Sequence, residues 1–338
     1  MTDPRRILLI RPSALGDVCR SVPVAASLKA AFPAADIDWL VNAPFAGAIA
    51  SHPAVSAAIP FDRKHLGRTM KGGKPGPTLA FLADLRRGDY DLVIDAQGLA
   101  RSGLFAWATG APRRIGYANA REMGWLGLTE KHDIPTTLHS VDRMLALIEA
   151  AGIPALRDMQ LHADPAILER IDRHPNLAGT RYAVLAPTSI WPGKRWPIEQ
   201  FTALASALLE MGLDRVAVVG APGERDQCEP LLTTSDPRIV DLVGETDVAG
   251  LMAFIARAAL VVANDSAALH MAVGFDRPAV ALFGPTDTAL VGPYQRDDDV
   301  IQHHTNADTL DHKNERVGQE MMQRITLDEV VQACQARL

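Results

Sequence analysis

The sequence has few features that require an oxidising compartment or a membrane span. Its 338 residues include only three cysteines, Cys19, Cys228 and Cys334, which are far apart, odd in number and without metal-ligand spacing. This pattern favours reduced thiols in a cytoplasmic protein. No apolar run approaches the length needed to cross a bilayer, and the first 17 residues contain only four consecutive apolar ones. The sequence therefore predicts no transmembrane segment and no signal peptide, although such a protein can still work at a membrane face.

Several motifs that would identify other enzyme classes are also missing from the sequence. It contains no G-x-G-x-x-G fingerprint, which weighs against a nicotinamide enzyme, and no G-x-S-x-G elbow of a hydrolase. Histidine and acidic residues do not form a metal-ligand pattern, so we expect no metal and no cofactor. The net charge of −6 gives no overall attraction to nucleic acid, and we expect no nucleic-acid partner.

Short apolar runs alternate with helical patterns along the whole chain, which is typical of βα units and parallel sheets. The fold class predicted is α/β, with two doubly wound parallel-sheet domains, because the chain is long for one core. The basic, glycine-rich segment Lys64–Pro77 is predicted to be a mobile loop. The ten predicted strands are Arg6–Arg11, Asp36–Val41, Val55–Pro60, Asp91–Ala96, Arg114–Tyr117, Tyr182–Ala186, Arg215–Gly220, Ile239–Val243, Leu260–Ala263 and Ala279–Phe283.

The predicted domains are 1–160, a connector over 161–180, and 181–325. The last residues, 326–338, are predicted to form an amphipathic helix that packs back on the first domain. Two such domains in tandem would face a cleft. Because ligands of open α/β sheets bind beyond the carboxyl ends of the strands, the loops at those ends should carry the chemistry.

The first such loop is "RPSALGDV", residues 11–18, directly after the first strand. Asp17 opens the following helix, where it could serve simply as an N-cap. A carboxylate aimed into the cleft could equally act as a general base toward a substrate hydroxyl. The residues alone leave both interpretations open.

Three loops of the second half offer groups suited to a nucleotide diphosphate. In "APTSIWPGKRWPIEQF", Thr188 and Ser189 supply hydroxyls and Lys194 an ammonium before a helix. In "GAPGERDQ", Glu224 could accept from a ribose hydroxyl or could merely begin a helix. In "VVANDSAALHMAVGFDRPAVALFGPTD", Asp265 and Ser266 start a helix that carries His270 one turn later, although capping alone would explain one of the first two.

Together, "RPSALGDV", "GKRWP", "GAPGE" and "NDSAALHMA…RPAVALFGPTD" resemble the ADP-heptose:lipopolysaccharide heptosyltransferases of glycosyltransferase family 9. The resemblance runs in order over roughly residues 5–335. It implies the GT-B architecture, in which two Rossmann-like domains face a cleft.

The resemblance also implies a role for each matched residue. Asp17 matches the catalytic base, and Lys194 matches a lysine at the nucleotide diphosphate, with Thr188 and Ser189 beside it. Glu224 matches an acid near the ribose. The donor's sugar and diphosphate would be held by Asp265, Ser266 and His270. Ala267 departs from the family's "D-T-G-x-x-H" pattern, because it places a methyl group where the family has glycine.

The sequence therefore predicts an inverting glycosyltransferase that moves a heptose or related sugar from an ADP-sugar to a lipid-linked, anionic saccharide of the lipopolysaccharide-core type. The resemblance places this acceptor at the cytoplasmic face of the inner membrane. A sugar-nucleotide epimerase on the same fold and a non-catalytic nucleotide-sugar-binding protein are the alternatives. The candidates for binding the anionic acceptor are basic residues of the first domain: Arg63, Lys64, Arg68, Arg113, Arg114 and Arg143.

Overall fold

Twelve short strands form two separate parallel sheets in the computed structural model, which describes residues 3–305, 308, 310, 311 and 313–338. The chain divides into two units, Met1–His162 and Ala163–Leu338, with one sheet in each. The strands are β1 Arg6–Ile10, β2 Asp36–Asn42, β3 Ala57–Phe61, β4 Leu92–Asp95, β5 Arg113–Tyr117, β6 Glu130–His132, β7 Tyr182–Ala186, β8 Arg215–Val218, β9 Ile239–Asp241, β10 Leu260–Asn264, β11 Ala279–Phe283 and β12 Val300–Gln302.

Both sheets have the same strand order. The first is ordered β3-β2-β1-β4-β5-β6 and the second β12-β11-β10-β7-β8-β9. Neighbouring strands in both sheets run parallel. In each sheet the chain leaves its first and fourth strands in opposite directions, which creates a topological switch point between them. The predicted α/β fold class with two doubly wound parallel sheets is confirmed.

Helices connect the strands, as expected for parallel pairing. Their apolar residues recur at helical spacing, as in α8, where Phe201, Leu204, Ala205 and Leu208 are buried. The helices are α1 Leu15–Arg20, α2 Val22–Ala31, α3 Arg63–Lys71, α4 Gly76–Arg87, α5 Ala100–Thr109, α6 Ser140–Ala150, α7 Pro165–Asp172, α8 Ile198–Glu210, α9 Glu229–Leu232, α10 Val248–Arg257, α11 Ala267–Gly274, α12 Thr288–Val291, α13 Glu315–Gln323 and α14 Leu327–Gln335. Within the described residues, none of these helices has the length and apolar character needed to span a membrane.

Each sheet is covered by its own apolar core. The central strands are buried on both faces, and Ile7, Leu8, Leu9 and Ile10 of β1 have no exposed surface. In the second unit, Trp196 packs edge-on against Phe201 with ring centroids 5.0 Å apart, and its indole nitrogen donates to the carbonyl of Ile325 at 2.9 Å. These contacts fix the loop after β7 against the body of the unit.

The structure differs from the sequence-based expectations at four places. The segment 64–77, predicted as a loop, forms most of α3 and the start of α4, because Leu66 packs against the first core. The predicted connector 161–180 is not separate, because from Ala163 onward it belongs to the second unit, where its helix α7 buries Ile171. The C-terminal helix α14 buries Val330 and Cys334 in the core of the second unit, which differs from the expected packing on the first domain. The three-residue edge strands β6 and β12 were not predicted.

Candidate functional site

The predicted donor residues gather at the switch point of the second sheet. Strands β7 and β10 are neighbours there, with Ala186 paired to Ala263. Thr188 and Ser189 follow β7, and Asp265 and Ser266 follow β10. Since parallel strands end at the same edge, the two loops lie side by side.

Thr188 and Glu224 contact each other directly. The Thr188 hydroxyl donates to Oε2 of Glu224 at 2.7 Å, and the same oxygen accepts from the amide of Ala221 at 3.0 Å. Glu224 thus closes the first turn of the helical segment Pro222–Cys228 and reaches the loop after β7. Ser189 is also fixed, because its amide donates to Gln227 at 3.2 Å. The predicted hydroxyl and acid therefore belong to one hydrogen-bonded group.

Lys194 and Asp265 form an ion pair with 2.6 Å between Nζ and Oδ2. Both side chains are largely buried, and Asp265 also accepts from the Thr286 hydroxyl at 2.8 Å. Burial raises the pKa of Asp265, but the charge of Lys194, its hydrogen bond, the nearby His270 and the Thr286 hydroxyl together lower it. Asp265 is therefore ionised and holds the Lys194 ammonium in a defined position.

Helix α11 begins beside this ion pair. Ser266 occupies its N-cap position with extended backbone, but the Ser266 side chain makes no capping hydrogen bond. Its buried hydroxyl has no hydrogen-bond partner among the described residues. Capping thus explains neither Asp265 nor Ser266. Ala267 is the first residue of the helix, and His270 is buried one turn further along. Free amides at a helix start favour an anion, so this end of α11 is suited to a phosphate group.

Asn264 connects the loops that carry these residues, a role that the sequence analysis missed. Its side chain is fully buried; the amide nitrogen donates to the carbonyl of Pro187 at 2.6 Å, and the amide oxygen accepts from the backbone of Trp196 at 3.1 Å. Asn264 therefore links the segment before Thr188 to the segment after Lys194. The only sequence signal is a polar residue at the end of an apolar strand, which is shared with ordinary turns.

A second missed residue, Gln302, holds the loop after β11. Its side-chain nitrogen donates to the carbonyls of Gly284 and Thr286 at 2.7 and 2.8 Å. These bonds fix the loop whose Thr286 hydroxyl reaches Asp265. Gln302 lies on β12, one of the two strands not predicted, so the sequence offered no basis for placing it here.

Asp17 lies in the first turn of α1, after the carboxyl end of β1. It occupies the third helical position and accepts from the amide of Ala14 at 3.1 Å, so it closes the turn without being the N-cap itself. Arg11 lies 3.2 Å from one carboxylate oxygen, and Arg20 contacts the other. Burial alone would raise the pKa of Asp17, but the charges of Arg11 and Arg20 and the hydrogen bonds hold it well below its ordinary value. Its side chain retains some solvent contact.

Other polar residues lie at the same end of the first sheet, and the sequence analysis did not single them out. Arg11 donates to the carbonyl of Ala96 at 2.6 Å. Asp95, fully buried at the end of β4, accepts from the amides of Gln97 and Gly98 and from the Ser102 hydroxyl at 2.9–3.1 Å. Burial raises the pKa of Asp95 to about 6. Arg11 and Asp95 thus lie on either side of the first switch point.

The six basic residues predicted to bind an acceptor fall into two groups. Arg63, Lys64 and Arg68 are exposed on α3 and form no ion pair within the described part of the chain. The others are engaged inside the first unit. Arg113 contacts Glu130 through two nitrogens, Arg114 donates to the carbonyls of Gly127 and Ala111, and Arg143 stacks over Tyr117 at 4.0 Å.

Comparison with known proteins gives a consistent result. Residues 78–320 match the model of Glycosyltransferase family 9 (heptosyltransferase), which is more than half of the chain. Lipopolysaccharide heptosyltransferase 1 of Escherichia coli K12 is 30% identical over 297 residues, covering 86% of this chain and 91% of that protein. Lipopolysaccharide heptosyltransferase 1 of Pseudomonas aeruginosa is 30% identical over 311 residues, covering 86% and 82%.

Solved structures show the same relationship. The E. coli heptosyltransferase WaaC with ADP has a TM-score of 0.78 at 26% identity, covering 98% of this chain and all of that one. The E. coli ADP-heptose lps heptosyltransferase II has a TM-score of 0.80 at 24% identity, covering 98% of each chain, which shows likeness of fold.

Proposed function

Because the chain belongs to glycosyltransferase family 9, and is thus a glycosyltransferase, we propose that it moves a heptose or a closely related sugar from an ADP-sugar to an anionic acceptor of the lipopolysaccharide-core type, with inversion. The observation that carries the proposal is the buried Lys194–Asp265 pair beside the start of α11, at the switch point of the second sheet. This arrangement suits a sugar-bound diphosphate, the group that such a reaction must release.

The donor site is assembled from the second unit. Lys194, positioned by Asp265, offers its remaining N–H groups to a diphosphate oxygen, and the amides of α11 supply further donors. The unpartnered Ser266 hydroxyl adds another donor at the same place. We assign the Glu224 carboxylate, which is held by the Thr188 hydroxyl, to accept from a ribose hydroxyl of the donor. We assign His270, which lies on the same helix and close to Asp265, to the donor site as well.

Asp17 is the general base of the proposed mechanism. The acceptor hydroxyl attacks the anomeric carbon, the bond from that carbon to the diphosphate oxygen breaks, and ADP leaves with the electron pair. Asp17 takes the acceptor's proton. Its low pKa keeps it ionised, and it suffices as a base because the attacking oxygen becomes strongly acidic as its new bond forms. Lys194 and the α11 amides stabilise the charge that develops on ADP.

Acceptor binding is assigned to the first unit. Arg63, Lys64 and Arg68 are the strongest of the six predicted residues, because their charges are exposed on α3 and not used in ion pairs of the described residues. Arg113, Arg114 and Arg143 are weaker candidates, because each is already held inside the first unit by hydrogen bonds and, for Arg143, by stacking on Tyr117. We place the acceptor at a membrane face, since a lipopolysaccharide precursor is anchored by its lipid.

Two substitutions test the division of roles. Asp17→Asn should lower kcat about 10²–10⁴-fold while the dissociation constant of ADP stays nearly unchanged. Lys194→Met should weaken ADP binding by about tenfold or more, because a charge-assisted hydrogen bond is lost. Lys29→Met, which removes an ammonium that donates to the backbone carbonyl of Ala35 in the first unit, is the matched control. ADP release and product formation are measured with and without acceptor.

Three outcomes would contradict the proposal. Equal loss of ADP binding and turnover in Asp17→Asn would make Asp17 a structural residue. A new sugar nucleotide formed without acceptor would indicate an epimerase. ADP binding without any transfer to a lipopolysaccharide-core acceptor would indicate a non-catalytic binding protein.

A further inference from the structure

Five large apolar side chains are exposed close together on the first unit. Helix α5 carries Leu104 and Trp107, and the following helical segment Arg121–Gly127 carries Met123, Trp125 and Leu126. The exposed fractions are 60% for Trp107, 66% for Met123 and 62% for Leu126. We call these five side chains the apolar patch. Single exposed apolar residues are common, but a cluster of this size marks an interaction surface.

The two segments of the apolar patch are in direct backbone contact. A Cβ atom on Gly103 would overlap the carbonyl of Gly124, and one on Gly127 would overlap the carbonyl of Gly103. Leu104 follows Gly103 immediately, and Trp107 lies one turn further along the same face of α5. The five side chains therefore belong to one continuous surface.

The backbone of the patch is strained where it presents Met123. Glu122 and Met123 have φ values of 55° and 58°. These lie in the left-handed region, which residues other than Gly, Asn and Asp seldom adopt. Each such residue costs on the order of 1 kcal/mol or more. This turn brings Gly124 against α5 and leaves the Met123 side chain exposed beside Leu126.

Basic residues surround the apolar patch. Arg101 precedes Leu104 by three residues on α5, Arg121 begins the second segment, and Lys131 lies with Nζ 5.0 Å from the centre of the Trp125 ring. All three are exposed, and Glu122 is the one carboxylate within the segment Arg121–Gly127. Exposed tryptophans beside arginine and lysine match the interface of an anionic lipid layer, where aromatic rings lie at headgroup depth and cations pair with phosphates.

We propose that the apolar patch docks the protein on a membrane containing anionic phospholipid, with Trp107, Trp125 and Leu126 entering the headgroup region. This docking proposal extends the proposed function. It rests on that function only because a lipid-anchored acceptor would require the protein to work at a membrane. Each exposed apolar side chain adds a small burial free energy, and Arg101, Arg121 and Lys131 add electrostatic attraction. Binding of this kind is reversible and weakens as salt concentration rises.

Vesicle sedimentation tests the proposal independently of catalysis. The full chain should sediment with phosphatidylglycerol vesicles at low salt, and much less with vesicles of phosphatidylcholine alone. The double variant Trp107→Gln, Leu126→Gln should bind the anionic vesicles at least about tenfold more weakly. Because both side chains are mostly exposed, the variant should keep the wild-type melting temperature.

The matched control is Leu156→Gln. Leu156 is an exposed leucine of the first unit whose backbone is bonded to Ser27 of α2. The connections from β1 to β2 and from β4 to β5 run in opposite directions along the sheet, so right-handed crossovers place α2 and α5 on opposite faces. Leu156→Gln should therefore bind vesicles like the wild type.

Turnover separates a failure of docking from a failure of the proposed function. With a delipidated acceptor, the Trp107→Gln, Leu126→Gln variant should match the wild type; with acceptor embedded in vesicles, it should be slower by about the factor lost in binding. Equal vesicle binding by wild type and double variant overturns the docking proposal, whatever the activity. A wild-type dimer that the double variant dissociates would also overturn it, because the patch would then be an interface between copies.

Discussion

The titration of Asp17 is decided by the two guanidiniums beside it. Its pKa lies below the ordinary carboxyl value of about 4, so the ionised form is favoured in the folded protein. The resulting stabilisation is present above that ordinary value and is lost as the pH falls through the lower folded value. If Asp17 is the base, it is already in its active form over the whole neutral range.

This argument predicts how the pH profile responds to Arg11. In the wild type, Asp17 should cause no fall in kcat/KM between about pH 5 and pH 9. Arg11→Met removes one stabilising charge while the burial of Asp17 remains, so the pKa rises and the acid limb of kcat/KM moves to higher pH. ADP release measured from acid to neutral pH gives the profile, with the exposed Arg87→Met as control. An acid limb that does not move would show that the limb belongs to another group.

At the scale of elements, one buried amide, that of Asn264 at the end of β10, holds the loop after β7. Asn264→Leu keeps the approximate size of the side chain but leaves the Pro187 carbonyl and the Trp196 amide without their partner. Each buried group left unpaired costs roughly 1–3 kcal/mol, so the melting temperature should fall. ADP affinity should fall as well, because the loops that carry Thr188 and Lys194 lose their common link.

Asn264→Asp is the informative companion, since it keeps the acceptor for Trp196 but, when ionised, turns a buried carboxylate oxygen toward the Pro187 carbonyl, so its effect near neutral pH should be at least as large as that of Asn264→Leu. Asn176→Leu, on an exposed position of the same unit, is the control for the substitution itself. Calorimetry with ADP and thermal unfolding provide both readouts. Wild-type ADP affinity in Asn264→Leu would show that the loops hold their positions without this link.

The periodicity of the sequence predicts the interior strands of both sheets, but it does not predict two of the short edge strands. All ten predicted strands exist, because buried parallel strands are continuous apolar runs. Strands β6 and β12 were missed, since Glu130–His132 and Val300–Gln302 are short and partly polar. Helix α3 was missed because its glycine and basic residues resemble a loop, while its packing on the core through Leu66 is a tertiary contact.

The residues of the candidate site also divide into those that the sequence could identify and those that only the fold reveals. Residues with an obvious chemical group, such as Lys194 and Asp265, could be selected from the sequence, but the ion pair between them joins positions 71 residues apart and needs the fold. Asn264 and Gln302 act through backbone carbonyls and amides, which leave no pattern in the sequence. The use of Arg113 and Arg114 inside the first unit was hidden as well, because their partners, the Glu130 carboxylate and the Gly127 carbonyl, come close only in the folded chain.

At the scale of the whole molecule, the two units repeat one strand order but carry different chemistry at their switch points. The second unit presents the Lys194 ammonium and the start of α11 at its switch point, whereas the first presents the Asp17 carboxylate there and the basic residues of α3 after its edge strand β3. The same sheet edge can serve both purposes, because the loops and not the strands supply the functional groups. The units should therefore bind their substrates separately.

Hydrogen exchange can test this assignment in the full chain. Saturating ADP should slow amide exchange in the loops of the second unit around Thr188, Glu224 and Asp265, and should stabilise that unit by about 2.7 kcal/mol at a hundredfold excess over Kd. Delipidated acceptor alone should slow exchange around α3 and leave the donor loops unchanged. Inorganic phosphate serves as the control for charge alone, and its protection should be confined to the segment around Lys194 and the start of α11. Protection of α3 by ADP alone, or of the donor loops by acceptor alone, would contradict the assignment of donor and acceptor to separate units.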